Sequence, residues 1–566
     1  MKETPGASRV ILRLGLLALA SWLLWVGFRI FPASSTRLIW LPVVFGVYLA
    51  ALASALAAGT LRRQDHRRAR AWILVATLAG VVAWFAVEVT VYYPRYRADT
   101  MALSHIAAAE MLRGRNPYTL ESAMVIQEVE RLGIPHSLLT QTVDGTPFTG
   151  VVAYPALHFL VFVPALAAGI RDLRWVVLAF ELLALVVLWR WTPKRFQPIV
   201  FVPFLVNPDL LVIFTSGLTD WLWVTPLMLT AVSLTRGRIP LAGVAYGCAA
   251  AVKPLPWIAL PFLLIWLVKS RPAQAPPLGT ARLFLGTAVV TFAAINAPFI
   301  MLDAGAWARS VATPFLAPLM LDGHGLSALS KMGLFPDSRL LYGALTAGAG
   351  TIAVGAYWVF FLRLRDALWV FPAMVMWVSY RSFHNYVLYW IPPAFLWFLL
   401  QAQRLGARSE DARLPRAVGS ARWSRGVGWV GVLGVVLFIG LTTAIGTVNS
   451  STDPIGLKVI AFSSRADPRI IDAIAVEVTN RMSVPIEPIF TVIRAGQSVP
   501  WDVEDGPRTL AAETAAVYGI VAPPGAAALP RRNLYAGDAG GEREPVLLRV
   551  TARGTDAAAS VWIPGF

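Results

Sequence analysis

A chain of 566 residues with 57% hydrophobic positions and only 14% charged ones carries more apolar side chain than a soluble core of that size requires. This excludes an ordinary water-soluble globule and points to a multispanning membrane protein with one soluble domain added. The formal charge of +17 would suit a nucleic-acid partner, but the basic residues cluster in short loops between apolar segments. No basic stripe interleaved with aromatics occurs in any polar stretch, so no nucleic acid is expected. Cys248, the single cysteine, lies inside an apolar run, which rules out a disulfide framework or a thiolate metal site.

Apolar segments near 10–31, 39–60 and 72–93 each match the roughly 20 residues that a bilayer core demands. The first exceeds a signal peptide's apolar core and is read as a retained helix. Between the second and third lies LRRQDHRRAR, with five arginines, expected on the cytoplasmic side; the N-terminus is then inside and Asp99 emerges outside. By the same rule WRWTPKR, TRGR, KSRPAQ, FLRLRD and the arginine-rich 403–425 are cytoplasmic, while 94–150 and 302–339 are external. For these assignments to agree, 151–170 must dip into the membrane and return. PLAGVAYGCAAAVKPLPWIALPFLLIWLV, 240–268, must likewise go out and back as two short helices that turn at Lys253 and Pro254. Further helices near 175–191, 196–214, 218–235, 283–301, 340–361, 367–381, 386–402 and 426–447 bring the expectation to about 13 crossings, with the C-terminus outside.

From about 450 the pattern changes. Ile474, Val476 and Val478, like Val546, Leu548 and Val550, alternate with the period of half-buried strands, separated by Pro/Gly turns. A small external β-sandwich of roughly 110 residues is expected. The chain therefore divides into 1–71, two extra helices with a basic loop; 72–402, the main membrane body; 403–449, a basic linker with the last helix; and 450–566, the β-domain.

The first external loop opens RYRADTMALSHIAAAEMLRGRNPYTL. A short helix is expected to run from Asp99, at or near its N-cap, to Gly114. A second, Leu120 to Leu132, carries Val125, Ile126, Val129 and Leu132 on one side and suits a membrane surface. Two surface helices and a dipping segment make a roofed cavity at the bilayer edge, where ionisable residues are functional candidates. As a plain alternative, Asp99 merely caps its helix.

An acidic residue after an N-terminal span, a helix ending in GRNPY, YP at the start of the dipping segment, then SGLTD, AGVAYGCAAAVKPLP, NAPF and SFHNYVLYWIPP follow one another in this order. Over roughly 72–402 this resembles the GT-C membrane glycosyltransferases, and glycosyltransferase family 87, of the polyprenyl-phosphate-mannose-dependent type, above all. The resemblance implies an all-α polytopic fold. It also implies inverting transfer of a sugar, mannose in the first instance, from a polyprenyl-phosphate donor to a cell-envelope glycolipid or glycan acceptor at the outer face of the plasma membrane. No cofactor is implied, and no DxD or HExxH pattern in the external loops suggests a metal.

Such chemistry needs a base on the acceptor hydroxyl and positive or hydrogen-bonding groups on the leaving phosphate. Asp99 matches the family's acidic residue and would be the base. His384 matches a histidine near the active centre, but Asn385 follows it where the family is expected to carry a His-His pair. Lys253, at a helix break, would face the lipid phosphate as a point charge, or else snorkel to the head groups; Arg97 and Arg381 are further phosphate candidates. Asp220 is either a helix N-cap or an acceptor-binding residue. Tyr118, Tyr154, His158 and Asn296 would shape the cavity. His105, six residues beyond Asp99, lies on a different helical face and is not paired with it. Two other readings stand beside the transferase: a secondary transporter, and a non-catalytic cell-envelope assembly protein with the β-domain as its working part.

Overall fold

The computed structural model describes residues 5–408 and 454–563, apart from 37, 63–64, 93–94, 135–138, 141, 143–151, 201–209, 212–214, 271–277, 318, 332–334, 336–337, 464–469, 495–496, 524–528, 531–545 and 554–557. The chain is mostly helical up to Arg408 and mostly strand from Ile455 onward. Among the described residues five helices are long and apolar enough to cross a membrane.

The first three are α1 (Pro5–Thr36), α2 (Leu41–Thr60) and α3 (His66–Val87), the last continuing as a single wide turn over Glu88–Tyr92. They pack side by side, with Trp22, Leu23 and Trp84 buried between them. Their outer faces stay apolar: Phe28, Leu49, Leu56 and Val75 are all more than half exposed. An apolar surface that extensive is stable in lipid, not in water.

After the loop helices α4 (Asp99–Leu112) and α5 (Ser122–Arg131), the predicted dipping segment forms two short helices, α6 (Leu157–Leu160) and α7 (Val163–Ala167). Then come α8 (Arg174–Trp191) and α9 (Trp221–Thr235), the hub of the body: all but two of its 15 residues are buried. It packs against α8, α10 (Ile239–Ala250) and the later α18 (Ile391–Arg408). The expected break at Lys253 is present: α10 ends at Ala250 and the chain resumes as a short 3₁₀ turn, Leu255–Ala259, and then α11 (Leu260–Lys269).

Two helices differ from the expectation. Instead of 283–301, α12 runs from Gly279 to Leu316, interrupted only at Asp303, whose carboxylate restarts the helix by accepting the Ala306 amide proton at 2.8 Å. The segment 367–381 does not form a crossing helix. After α13 (Ser327–Lys331), α14 (Arg339–Val359) and α15 (Phe361–Leu364), only α16 (Phe371–Trp377) is helical there. At 7 residues it is about 10 Å long, far short of a bilayer. The chain then turns to make a two-residue strand, β2 (Arg381–Ser382), parallel to β1 (Asp322–Gly323), before α17 (His384–Leu388) and α18. Residues 201–209, 212–214 and the whole predicted span 426–447 lie outside the described residues.

The C-terminal strands are β3 (Ile455–Ser463), β4 (Ile470–Ile471), β5 (Ala473–Asn480), β6 (Pro488–Arg494), β7 (Gln497–Asp505), β8 (Ala515–Val521), β9 (Leu529–Pro530), β10 (Val546–Ala552) and β11 (Ala558–Ile563). Where a two-sheet sandwich was expected, seven strands form one sheet in the order β11-β10-β6-β7-β8-β5-β3. β11 comes back beside β3, so the sheet curls like a barrel. Alternation along a strand fixes an inner and an outer face, but not whether the inner faces belong to one curled sheet or two flat ones. Ile474, Val476, Val478, Phe490, Tyr518, Leu548 and Val550 fill the inside.

Candidate functional site

The site is built where α4, the turn before α6, the α10–α11 break and the strand β2 converge. Asp99 is the first residue of α4; the N-cap position belongs to Ala98. Asp99 Oδ1 accepts from the Thr100 amide at 2.6 Å and hydroxyl at 3.2 Å, and Oδ2 from the Thr140 hydroxyl at 2.7 Å and amide at 3.2 Å. The capping alternative is met only in that Asp99 binds the Thr100 amide; its other oxygen reaches a separate loop. Arg381 lies behind that loop, its guanidinium donating to Thr140 Oγ1 and to the Met320 carbonyl oxygen, each at 3.4 Å.

Asp220 and Lys253 correct the sequence reading. Asp220 stands before α9 but makes no side-chain cap there. Fully buried, it accepts from Trp223 Nε1 at 2.7 Å, Lys253 Nζ at 3.0 Å and Asn385 Nδ2 at 2.9 Å. Lys253 is 2% exposed, so it neither snorkels nor stands open to a lipid phosphate. The apolar run around it offers no water, and a buried ammonium needs an opposite charge.

Tyr154 joins the two carboxylates. Its ring lies under Lys253 Nζ, 5.4 Å from the centroid, and stacks on buried His158 at 4.3 Å. The Thr100 side chain and the charges of Asp99, Asp220 and Arg381 lie near its hydroxyl. Half-buried Tyr386 lies close to Tyr154, Lys253, Asp220 and Arg381. The dipping segment is held in place by Leu157 N donating to the Ala251 carbonyl at 3.1 Å and by Asn296 Oδ1, which accepts the Ala156 amide at 3.0 Å. Tyr118 serves the same end: its hydroxyl donates to the Tyr154 carbonyl at 2.9 Å, and its ring packs edge-on against Phe159 and Phe299. The GRNPY turn that carries Tyr118 is fixed by buried Glu110, which pairs with Arg113 and Arg115 at 2.5 Å.

His384 starts α17 at the rim, half-buried, and faces exposed His324 with 3.4 Å between the two Nδ1 atoms. His324 reaches His384 from another loop. Arg97 is exposed, its amide bonded to the Ser216 carbonyl at 2.7 Å. His105 is separate from Asp99, as expected: its Nδ1 is 3.0 Å from the Tyr96 hydroxyl. Burial, and then the charge of Arg131, lower the His105 pKa. Among the described residues no three His, Cys, Asp or Glu side chains converge as a metal site would require.

Thr100, Thr140, Trp223, His324, Asn385 and Tyr386 were not singled out from the sequence. Asn385 and Tyr386 stand within the SFHNY motif and Thr100 directly follows Asp99, so proximity to the candidates could have found them. Nothing local marks Thr140 or His324, which arrive from distant loops. No known family model, no curated protein and no solved structure matches this chain.

Proposed function

We propose that the protein is a polyprenyl-phosphate-sugar-dependent glycosyltransferase of the plasma membrane, with Asp99 as the base. The observation that carries this reading is the division of labour between the two carboxylates. Asp220 is sealed and spoken for by Lys253, Trp223 and Asn385, whereas half-buried Asp99 is held by hydroxyls and amides that a substrate hydroxyl can replace. In this reading an acceptor hydroxyl displaces the Thr140 hydroxyl from Oδ2. Its oxygen attacks the anomeric carbon, its proton passes to Asp99, and the carbon–oxygen bond to phosphate breaks with inversion, the electron pair leaving on polyprenyl phosphate. Arg381, beside Thr140, would meet the phosphate charge. Lys253 would act from behind, orienting Tyr154 and Asp220 rather than touching the lipid.

The apolar surfaces of the surrounding helices provide the flank along which a polyprenyl chain would approach. The reading includes an internal N-terminus and an external site and β-domain, the chain returning from α15 to β2 through the short α16 rather than through one spanning helix. Purified wild-type protein in lipid, offered a panel of polyprenyl-phosphate sugars and glycolipid acceptors, should release polyprenyl phosphate with at least one of them. No release from any donor with any acceptor of the panel would count against the reading.

A transporter is favoured by a different observation. Glu181 in α8 is fully buried, and among the described residues neither carboxyl oxygen has a hydrogen-bond partner, a placement typical of proton pathways in membranes. Turnover of a lipid-phosphate sugar with no gradient across the membrane would set that reading aside.

A further inference from the structure

The outer face of the β-sheet is covered where β6 meets β10. Thr491 and Arg549 are directly opposite each other on these strands, as are Ile493 and Leu547. All four are buried, yet none belongs to the core inside the curled sheet. Two of them touch one segment of the helical body. The Arg549 guanidinium donates to the Ser330 carbonyl at 3.1 Å, and the Thr491 hydroxyl lies 4.0 Å from Met320 Sδ.

That segment, 319–331, borders the candidate site. It carries β1 and His324. It is sewn to the β2 strand by His324 N to the Ser382 carbonyl and Ser327 Oγ to Ser382 Oγ, and to the end of α16 by Leu326 N to the Trp377 carbonyl. Lys331 closes it on itself through Asp322 at 2.7 Å. Met320 hands the contact inward: its carbonyl accepts from Arg381, Arg381 donates to Thr140, and Thr140 donates to Asp99.

We infer that the β-domain is a fixed support of the candidate site, clamped onto segment 319–331 by Arg549 and Thr491, and that Arg549 is a positioning residue for the rim that carries His324, Arg381 and His384. A buried guanidinium with its bond removed leaves the Ser330 carbonyl without that donor and the sheet face without its polar anchor. The inference rests on geometry and not on the reaction proposed for the site.

The test is hydrogen exchange on the full chain in lipid nanodiscs, comparing wild type, Arg549→Met and Arg549→Lys. In Arg549→Met, peptides covering 319–331 and 381–385 should exchange about tenfold faster, while peptides from β5 and β8 keep their protection. Arg549→Lys, which keeps a donor, should recover part of it. Unchanged exchange at 319–331 in Arg549→Met with a protected β-core would overturn the inference. Should Arg549→Met unfold the β-core, the contact is read instead from Met320→Cys with Thr491→Cys in a Cys248→Ala background. Efficient cross-linking of that pair by a short bifunctional thiol reagent supports the clamp, and its failure, with both thiols shown reactive, refutes it.

Discussion

Removing the Lys253 ammonium leaves the Asp220 carboxylate fully buried with, among the described residues, only Trp223 and Asn385 donating to it. Lys253→Met should therefore cost about 3–5 kcal/mol, and pairing it with Asp220→Asn should recover most of that loss, because no charge is then left unpaired. Thermal unfolding of the single and double variants in detergent checks this; additive losses would contradict it. At His105 the sign runs with pH. Burial holds its folded pKa below the ordinary value, so the unfolded chain binds more protons below about 6.5. The stability that the neutral ring contributes is complete above that pH and is lost as pH falls from it towards the lower folded pKa. On acidification wild type should lose more thermal stability than His105→Gln, and parallel curves would contradict the assignment. The ionisable residues were legible as candidates because they interrupt apolar runs. Their partners were not: Asp220 and Lys253 stand 33 positions apart, and only the packing of α9 beside α10 and α18, which α17 leads into, brings them and Asn385 together.

At the scale of elements, apolar length found α1 to α3, α8, α9 and α14 with small boundary errors, and the basic residues at both ends of 240–268 foretold the break at Lys253. The same criterion failed at 367–381, where β2 has to pair with β1 and leaves too few residues for a spanning helix. GVAYG, Gly243 to Gly247, belongs to the motif AGVAYGCAAAVKPLP. In the structure it is the surface on which α10 lies against α12: a Cβ on Gly247 would sit 2.6 Å from the Ala288 carbonyl, and one on Gly243 would collide with Thr287. Small residues at this spacing let two backbones approach. Gly247→Val should lower stability by about 1–3 kcal/mol, measured by thermal unfolding in detergent, whereas the same change at Gly348, where a Cβ meets nothing, should not. Gly325 is the corresponding position in the rim: a Cβ there would strike the Trp377 carbonyl oxygen, so Gly325→Ala should displace β1 from β2 and raise the thiol reactivity of a reporter His324→Cys in a Cys248→Ala background.

For the molecule as a whole, composition alone separated a lipid-facing helical body from a strand-rich C-terminal domain. How the β-domain meets the body was hidden, since Arg549 and Thr491 look like ordinary outward positions on alternating strands and become buried only by docking. The proposed orientation rests on the placement of arginines in short loops. In intact cells expressing the Cys248→Ala chain, an impermeant maleimide should label a cysteine at His324 and leave one at Asp65 unlabelled; the reverse pattern would turn the molecule over. The most direct test of the proposed chemistry is sugar transfer from the best polyprenyl-phosphate donor by equal amounts of wild type and Asp99→Asn in lipid. The expected result is loss of about a hundredfold or more in turnover with the fold intact, as for removal of a general base. Undiminished turnover in Asp99→Asn would contradict it and return Asp99 to holding the Thr100 and Thr140 loops together.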